Sequence, residues 1–478
     1  MNGRNASRPV AWRPILRRLS SSRPDLLAAH AAAPARFPFL LESASAGGTL
    51  GRYDLLLATR GETLMLDADG RVTRCGAGSD VRHALGGGQR PGFLAALDDW
   101  WRTERRPEAA AGLPFTGGWF LYLGYELAGE IEPRLRLPQA PGTVAAAVRV
   151  PAAAVYEHAT GASWLVGEPD AEDLVAALEA ALQPAAGPAA PTVAPLELVL
   201  AEDDPAIYLA AVARALEHIA AGDIYQANLA RAWRGSVPAG VGAADLYARL
   251  RRANPGPFAG LAALGDCSIL STSPERLVSV RGDLVDTRPI AGTRPRRGDD
   301  ATVMSELRAN AKEQAEHVML IDLERNDLGR ICTAGSVEVN EWMTIESYAH
   351  VHHIVSNVRG RRRPDVTPGE VIRALFPGGT ITGCPKVRCM EIIAELEAQP
   401  RGAYTGSMGY LGLDGSLDLN ILIRTATLRA AAPGAVEPAQ LELRAGAGIV
   451  ADSIPERELE ETRAKARGLL RGLTGERA

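Results

Sequence analysis

The sequence lacks any apolar run of about 18 residues, because proline, glycine, arginine or aspartate interrupts every candidate stretch. A helix that spans a membrane needs about 20 such residues, so we expect no membrane partner. Residues 1–23 are rich in arginine and serine but have no apolar core, which argues against a secretory signal. The net charge of -5 leaves no general attraction to nucleic acid, so polyanion binding is disfavoured as well.

Cysteine is scarce, and its few occurrences follow no metal-binding or disulfide pattern. No two of the five cysteines form a C-x-x-C pair, and an odd number does not suit a disulfide framework. We therefore expect neither a structural zinc ion nor disulfides, and a reducing, cytoplasmic location. The cysteines are Cys75, Cys267, Cys332, Cys384 and Cys389.

Lysine is the rarest charged residue. Of 52 basic residues only three are lysine: Lys312, Lys386 and Lys465. This bias indicates a drift toward arginine across the gene, so each remaining lysine is a candidate for a site that a planar guanidinium would not fill. Chance survival on a solvated face is the alternative interpretation.

The patterning of the chain predicts a mixed fold. Its 478 residues suffice for two or three domains or for one large interlocked unit. Proline and alanine dominate residues 184–198, which we interpret as a linker between an N-terminal part, 1–183, and a catalytic part, 199–478. Strand and helix patterns alternate without the regular β–α–β order of parallel sheets. We therefore predict an α+β fold, a large two-sheet sandwich flanked by helices.

Two helical patterns carry acidic residues on one face. In the first, Lys312, Glu316 and Leu320 share a face, and in the second Glu458, Glu461 and Lys465 lie three and four residues apart. Two such faces could meet around a hard cation such as Mg²⁺, which takes carboxylates, waters and substrate oxygens. The alternative, and the more frequent reason for an acidic helix face, is contact with solvent.

Several ordered segments resemble the chorismate-binding enzyme family. The matches in the catalytic part follow one another along the chain, and the N-terminal part matches more loosely through Phe39–Ser43 and Pro114–Gly118. The segments are Gly222–Leu229, Ser273–Arg276, Pro289–Arg296, Asp322–Arg330, His352–Ser356, Phe376–Lys386, Ile423–Thr425 and Gly446–Ser453.

The resemblance implies two layered sheets with Mg²⁺ and chorismate in a central cleft. It implies that Glu316 and Glu461 bind the Mg²⁺, with Glu458 beside them and Glu275 in the same acidic shell. The cation would hold the ring carboxylate of chorismate and help the C4 hydroxyl leave.

The resemblance also implies roles around the substrate. Arg424 and Tyr410 are similar to residues that bind a substrate carboxylate, and the amides of Gly446 and Gly448 assist them. His353 matches a histidine near the leaving group, whereas His350 and His352 are expected to be packing residues. The remaining implied site residues are Thr293, Thr380 and Lys465.

Gln226 points to ammonia as the nucleophile. By resemblance, relatives that add water to chorismate have a lysine base at the position of Gln226. Glutamine cannot deprotonate water. The sequence contains no G-x-C-x-G elbow of a glutamine amidotransferase, so a separate glutaminase subunit is implied as the ammonia donor.

The expected product rests on conflicting residues. Ala291 resembles anthranilate synthases, because many aminodeoxychorismate synthases carry a lysine there that attacks C2. Asn254–Phe258, Phe376–Lys386 and Arg52–Asp54 instead resemble aminodeoxychorismate synthase component I, which we favour. Anthranilate synthase component I is the alternative, and an inactive scaffold for the glutaminase subunit is a further one.

Overall fold

The computed structural model describes residues 12–20, 23–44, 51–76, 83–84, 92–107, 112–183, 196, 198–265, 267–296, 300, 302, 304–305, 311–347, 351–430 and 438–475. Within these parts, no helix combines the length and the apolar composition that crossing a membrane requires. Most of the segment 184–198 lies outside the described residues.

The described strands are numbered in chain order. They are β1 (Ile15–Arg18), β2 (Phe39–Glu42), β3 (Tyr53–Ala58), β4 (Thr63–Asp67), β5 (Val72–Cys75), β6 (His83–Ala84), β7 (Gly118–Leu123), β8 (Thr143–Val150), β9 (Ala152–Glu157), β10 (Ala162–Gly167), β11 (Ala201–Glu202), β12 (Gln226–Ser236), β13 (Phe258–Leu264), β14 (Cys267–Ser273), β15 (Arg276–Arg281), β16 (Leu284–Thr287), β17 (Ile290–Pro295), β18 (Glu338–Ser347), β19 (Val351–Arg361), β20 (Gly383–Cys384), β21 (Ser407–Gly412), β22 (Leu417–Asn420), β23 (Thr425–Arg429) and β24 (Gln440–Ile449).

The described helices surround these strands. They are α1 (Leu26–Ala32), α2 (Phe93–Glu104), α3 (Ala128–Ile131), α4 (Glu172–Leu182), α5 (Pro205–Ala220), α6 (Ala243–Ala253), α7 (Ala311–Gly329), α8 (Pro368–Leu375), α9 (Lys386–Glu397) and α10 (Pro455–Thr474), with short 3₁₀ turns at Tyr125–Leu127 and Gly379–Ile381.

The strands form two sheets. The first has the order β1-β10-β9-β3-β2-β13-β14-β23-β24-β12-β11, with β20 beside β12. The second has the order β17-β19-β16-β15-β22-β21-β7-β8-β4-β5-β6, with β18 beside β19. All strand pairs between named elements are antiparallel within the described residues. The predicted α+β sandwich is therefore confirmed.

Each sheet joins a block of strands that precede the segment 184–198 to a block of strands that follow it. In the first sheet β2 pairs with β13, and in the second β7 pairs with β21. The N-terminal and catalytic parts thus share both sheets. Separating the two parts would leave unpaired backbone groups along β2, β13, β7 and β21, which is costly when they are buried.

The two sheets face each other across an aromatic core. Phe39 of the first sheet stacks on Phe120 of the second with ring centroids 3.8 Å apart. The sequence of β7, GWFLYL, is buried at every position, as is typical of a strand covered on both faces. Helices α1, α4, α6 and α10 cover the outside of the first sheet, and α2 and α8 cover the outside of the second. The sandwich therefore has four layers.

Local signals define the helices next to the site. Asp204 accepts a hydrogen bond from the amide of Ala206 and caps α5, as its sequence predicts. Thr367 and Glu370 form a capping box at the start of α8, with Pro368 at the first position. These caps fix the entry of chain segments that lead into the cleft between the sheets.

Candidate active site

Arg424 lies in the short connection between β22 and β23 and is half-buried. Its φ of 53° is unusual for a non-glycine residue, and its carbonyl accepts hydrogen bonds from Thr272 N and Oγ1 at 3.0 and 3.1 Å. Burial lowers the pKa of Arg424, while the nearby Glu461 and Glu275 raise it. The guanidinium of Arg424 therefore lies near Glu461 and Glu275, and the hydrogen bonds from Thr272 hold its backbone in place.

Tyr404, and not Tyr410, lies beside this arginine. The segment after Tyr404 is held against the Arg424 connection, because Thr405 N donates to Leu422 O at 2.9 Å. Burial raises the pKa of Tyr404 to about 12, and Arg424 is among the charges that oppose this rise. The phenol and the guanidinium therefore face the same space.

Tyr410 belongs to a different part of the molecule. It lies on β21, packs edge-on against Phe115 at 5.5 Å, and lines a separate cavity with Arg276 and Asp418. The structure thus does not bring Tyr410 to the other predicted site residues. Sequence reasoning thus placed Tyr410 where the structure places Tyr404, six residues earlier. Tyr404 lies in the turn before β21, whereas Tyr410 lies within that strand.

The side chains of Glu275 and Thr380 are in contact. Glu275 lies between β14 and β15 and is 4% exposed, and the Thr380 hydroxyl donates to its Oε1 at 2.7 Å. Burial raises the pKa of Glu275 to about 7; the Thr380 hydrogen bond opposes this and the carboxylate of Glu324 adds to it. Glu275 therefore retains a proton near neutral pH, which suits a general acid.

His353 is a buried neutral imidazole next to Arg424. Burial lowers its pKa to about 4, and Arg424 and His352 lower it further. Its backbone pairs with that of Thr293 on β17, and the backbone of Ala291 pairs with Ile354. The side chains of Ala291 and Thr293 lie outside the described part of the structure.

The other histidines of the segment differ. His352 Nδ1 lies 2.7 Å from Ser347 Oγ, consistent with the predicted packing role, and His350 lies outside the described residues.

Gln226, Glu316 and Gly448 form one edge of the site. Gln226 Nε2 donates to Glu316 Oε1 at 3.0 Å, across the gap between the start of β12 and α7. A Cβ atom on Gly448 would lie 2.4 Å from Gln226 Nε2 and 3.5 Å from Glu316 Oε1. The glycine therefore leaves its backbone accessible beside the amide and the carboxylate.

Gly446, Lys465 and Glu461 form the neighbouring edge. Lys465 Nζ donates to the carbonyl of Gly446 at 3.0 Å and lies 2.7 Å from Glu461 Oε1. A Cβ atom on Gly446 would lie 2.6 Å from Asn228 Oδ1 and 2.7 Å from the Tyr404 hydroxyl. Gly446 thus sits between the tyrosine and the ammonium group, where only hydrogen fits.

Glu458 shares the helix of Glu461. It is buried, and both carboxylates raise the pKa of Tyr208. Among the described residues, no three His, Cys, Asp or Glu side chains are grouped closely enough to hold a metal ion. The two helices therefore supply separate carboxylates, one held by Gln226 and one by Lys465.

Two residues of the site carried no predicted role. One is Tyr404, and the other is Glu324, which lies inside the segment Asp322–Arg330 and whose pKa burial raises to about 7. The only sequence signal for Glu324 is that a glutamate stands at a helix position where an apolar core residue is expected.

Known proteins similar to this chain belong to one enzyme family. The family model for chorismate binding enzymes matches residues 63–471. The anthranilate synthase component I-like protein of Synechocystis sp. is 43% identical over 368 residues, 76% of this chain and 74% of the relative. Aminodeoxychorismate synthase component 1 of Bacillus subtilis is 39% identical over 397 residues, 80% of this chain and 82% of the relative.

A solved structure from the same family is similar to this chain over most of its length. The crystal structure of anthranilate synthase component I from Streptococcus pneumoniae TIGR4 has a TM-score of 0.75 and 29% identity, and the match covers 88% of this chain and 93% of that one. The chain therefore belongs to the family of chorismate binding enzymes.

Proposed function

We propose that this chain is component I of an aminodeoxychorismate synthase, which converts chorismate and ammonia into 4-amino-4-deoxychorismate and water. The observation that carries amination is the position of Gln226, whose amide lies against Glu316 and Gly448. An amide cannot take a proton from water, whereas ammonia attacks without a strong base. The product would serve the formation of p-aminobenzoate and folate.

Arg424 and Tyr404 would bind a carboxylate of chorismate. A half-buried guanidinium with few remaining partners gains a charge-assisted hydrogen bond when an anion enters. The backbone at Gly446 and Gly448 would lie along the same substrate group, since neither position has room for a side chain. These groups would orient the ring of chorismate toward Glu275.

Glu275 would protonate the leaving hydroxyl at C4. Its pKa of about 7 keeps part of the population protonated at neutral pH, and the Thr380 hydroxyl fixes the orientation of the carboxyl group. The C4–O bond breaks as the proton moves to the oxygen, and water leaves. Ammonia forms the new C4–N bond and loses one proton, so the proton count balances.

Glu316 and Glu461 would hold Mg²⁺, with Glu458 beside them. Carboxylate oxygens are the ligands that Mg²⁺ prefers, and one or two are usual when waters and substrate complete the shell. The amide of Gln226 and the ammonium group of Lys465 now contact these carboxylates, and a cation would take the place of those partners. When bound, the cation would neutralise substrate charge and promote loss of the hydroxyl.

We propose a glutamine amidotransferase subunit as the source of ammonia. The full sequence has no G-x-C-x-G elbow, so the chain cannot itself hydrolyse glutamine by that route. The relatives described above are named as a component I or component 1, which is consistent with a partner subunit.

Two segments support aminodeoxychorismate as the product. Phe376–Lys386 contains Thr380 of the site. Asn254–Phe258 contacts Thr272, which holds the backbone of Arg424, because Asn254 Nδ2 donates to Thr272 Oγ1 at 2.8 Å. Both segments resemble aminodeoxychorismate synthases. Anthranilate synthase is the second candidate, favoured by Ala291 and by the names of two of the similar proteins above.

Product analysis separates these candidates. The purified chain would be incubated with chorismate, Mg²⁺ and ammonium salt, and the products identified by mass spectrometry. A non-aromatic amine that retains the enolpyruvyl group supports the proposal. Anthranilate with pyruvate would replace it with the second candidate, and no turnover of chorismate would revive the scaffold hypothesis.

A further inference from the structure

Arg401 is a buried arginine whose side chain uses all of its hydrogen-bond donors. It is 3% exposed and follows the end of α9. Its Nε and one terminal nitrogen donate to the two carboxylate oxygens of Glu397, at 3.0 and 2.6 Å. The other N–H groups donate to the carbonyl of Asn228 at 2.6 Å, the carbonyl of Ile381 at 3.1 Å and the hydroxyl of Thr405 at 3.3 Å. A guanidinium has five N–H donors, so each of them has a partner here.

Two tyrosine rings lie against this guanidinium. Arg401 Cζ is 4.9 Å from the ring centroid of Tyr125 and 5.6 Å from that of Tyr404. The backbone N–H of Tyr404 also donates to the Arg401 carbonyl at 3.1 Å. Tyr404, the tyrosine beside Arg424, is therefore held by Arg401 through both its ring and its backbone.

The other partners of Arg401 lie in segments that carry the candidate site. Ile381 ends the short 3₁₀ turn that contains Thr380, whose hydroxyl donates to Glu275. Asn228 lies on β12, two residues after Gln226. One side chain thus connects the turn that orients a buried acid with the strand that carries the amide facing Glu316.

Both members of the ion pair between Arg401 and Glu397 are attached to β12. Glu397 Oε1 accepts from the backbone N–H of Ala230 at 2.8 Å, two residues along the strand from the carbonyl that the guanidinium reaches. The planar fork of arginine fits this set of acceptors, whereas an ammonium group has three donors in no fixed plane. The pair therefore fixes a geometry as well as neutralising two buried charges.

We propose that Arg401 is a positioning residue for the amination of chorismate. It holds three site residues in their relative positions: Thr380, Gln226 and Tyr404. The inference rests on the proposed function, in which Thr380 orients Glu275, Gln226 faces the nucleophile and Tyr404 binds a carboxylate. Its own contacts are to backbone carbonyls, a carboxylate, a hydroxyl and two rings, so it acts through these neighbours. Small displacements of reacting groups slow a reaction strongly, which gives such a residue a large effect on kcat.

The test is Arg401→Lys, measured by chorismate consumption across pH. Lysine keeps the positive charge but has three donors instead of five, so at least two hydrogen bonds are lost. A turn that is held less firmly weakens the hydrogen bond from Thr380 to Glu275. This change raises the pKa of Glu275 and moves the basic limb of kcat upward by about half a pH unit. The charged neighbours of Glu275 stay in place in this variant: Glu324, Lys465 and Arg424.

Arg401→Lys should also weaken substrate binding. Tyr404 loses the planar cation beside its ring, so we expect KM for chorismate to rise by about threefold. We expect kcat at the pH optimum to fall by about tenfold, because several site residues shift together. An unchanged basic limb together with an unchanged KM would overturn the proposal, whatever the variant loses in thermal stability.

Arg149→Lys is the matched control for the loss of a buried guanidinium. Arg149 is 6% exposed, makes two hydrogen bonds to Glu168 and lies 5.0 Å from the ring centroid of Trp119. None of its described side-chain partners belongs to the candidate site. We expect thermal unfolding at a lower temperature in both variants, but a wild-type limb and KM in Arg149→Lys. Equal changes of limb and KM in the two variants would refute a specific role of Arg401.

Tyr125→Leu is a second variant for the case in which Arg401→Lys does not fold. It removes one of the two rings beside the guanidinium, while the backbone N–H of residue 125 still donates to the carbonyl of Gly402. The basic limb and KM should move in the same directions as in Arg401→Lys, by smaller amounts. A wild-type limb and KM in Tyr125→Leu would then count against the proposal.

Failure of this inference and failure of the proposed function give different results. Formation of anthranilate by the wild type would refute the proposed product, while the limb and KM would still report on Arg401. No consumption of chorismate by the wild type would refute both. A wild-type limb and KM in Arg401→Lys and Tyr125→Leu, with amination retained, would refute the role of Arg401 alone.

Discussion

Gln226 Nε2 lies 3.0 Å from Glu316 Oε1, so the residue that points to ammonia and a proposed metal ligand are direct partners. The amide reaches the carboxylate from β12 of the first sheet, while the carboxylate comes from α7 beside the second. In the proposed function, nucleophile selection and metal binding would be coupled through this hydrogen bond, and substitutions on either side test them separately.

Glu316→Ala and Glu461→Ala should each abolish chorismate turnover, because each removes a proposed Mg²⁺ ligand. The measurement is chorismate consumption across a Mg²⁺ titration, together with Mg²⁺ affinity by calorimetry. Glu460→Ala is the matched control, since this neighbouring glutamate is exposed and pairs with Arg463. Near-normal turnover in Glu316→Ala or Glu461→Ala would discard the metal assignment.

Gln226→Lys should open a side reaction in which water adds to chorismate. A lysine at this position lies beside Glu316 and supplies the base that the amide lacks. The check is a search for an isochorismate-like product, of the mass of chorismate but with a different retention time. Gln226→Leu, which adds no base, should give none. Absence of the product in Gln226→Lys weakens the argument for ammonia.

Tyr404→Phe should raise the KM for chorismate, whereas Tyr410→Phe should not. Loss of one hydrogen bond to an anion costs about 1.5–3 kcal/mol, or about tenfold or more in KM. Tyr410 lies in another cavity, next to Phe115, and serves as the matched control. Steady-state kinetics decide between them, and a larger effect at Tyr410 would reverse the correction made from the structure.

Thr380→Val should move the basic limb of the pH profile upward. The Thr380 hydroxyl lowers the pKa of Glu275, so its removal raises that pKa above about 7 and keeps the acid protonated to higher pH. The kcat for chorismate consumption between pH 6 and about 9 gives the limb. A downward shift would contradict the role of Glu275 as an acid.

Gly446→Ala should reduce turnover severely, because its Cβ would approach Asn228 Oδ1 to 2.6 Å and the Tyr404 hydroxyl to 2.7 Å. Gly329→Ala, where the added atom meets nothing within 4 Å, is the control for the substitution itself. Turnover and thermal unfolding would be measured for both. Wild-type turnover in Gly446→Ala would show that Tyr404 does not depend on this glycine.

The resemblance to a known family supplied much of the candidate site. It implied roles for the charged residues Glu275, Glu316, Glu461 and Arg424, whereas their patterns alone left solvated helix faces as the alternative. The structure brings Glu275 to Thr380 and to Arg424, and Lys465 to Glu461 and Gly446. Lys465, one of the three lysines of the chain, therefore lies within the candidate site.

Pairing between distant segments was decided only by the tertiary structure. The sequence divides at residues 184–198, yet each sheet joins strands from the two sides, because hydrogen bonds between strands carry no local sequence code.

The tertiary structure also explains the exchange of Tyr410 for Tyr404. Tyr404 lies in the turn before β21 and Tyr410 within that strand, and only the fold determines which side chain lies near Arg424. Glu324 became visible only because the fold buries it, since burial and the field of a neighbouring charge are properties of three-dimensional position. The sequence by itself thus determined which chemical groups are present and the family they match. The tertiary structure decided which of them meet.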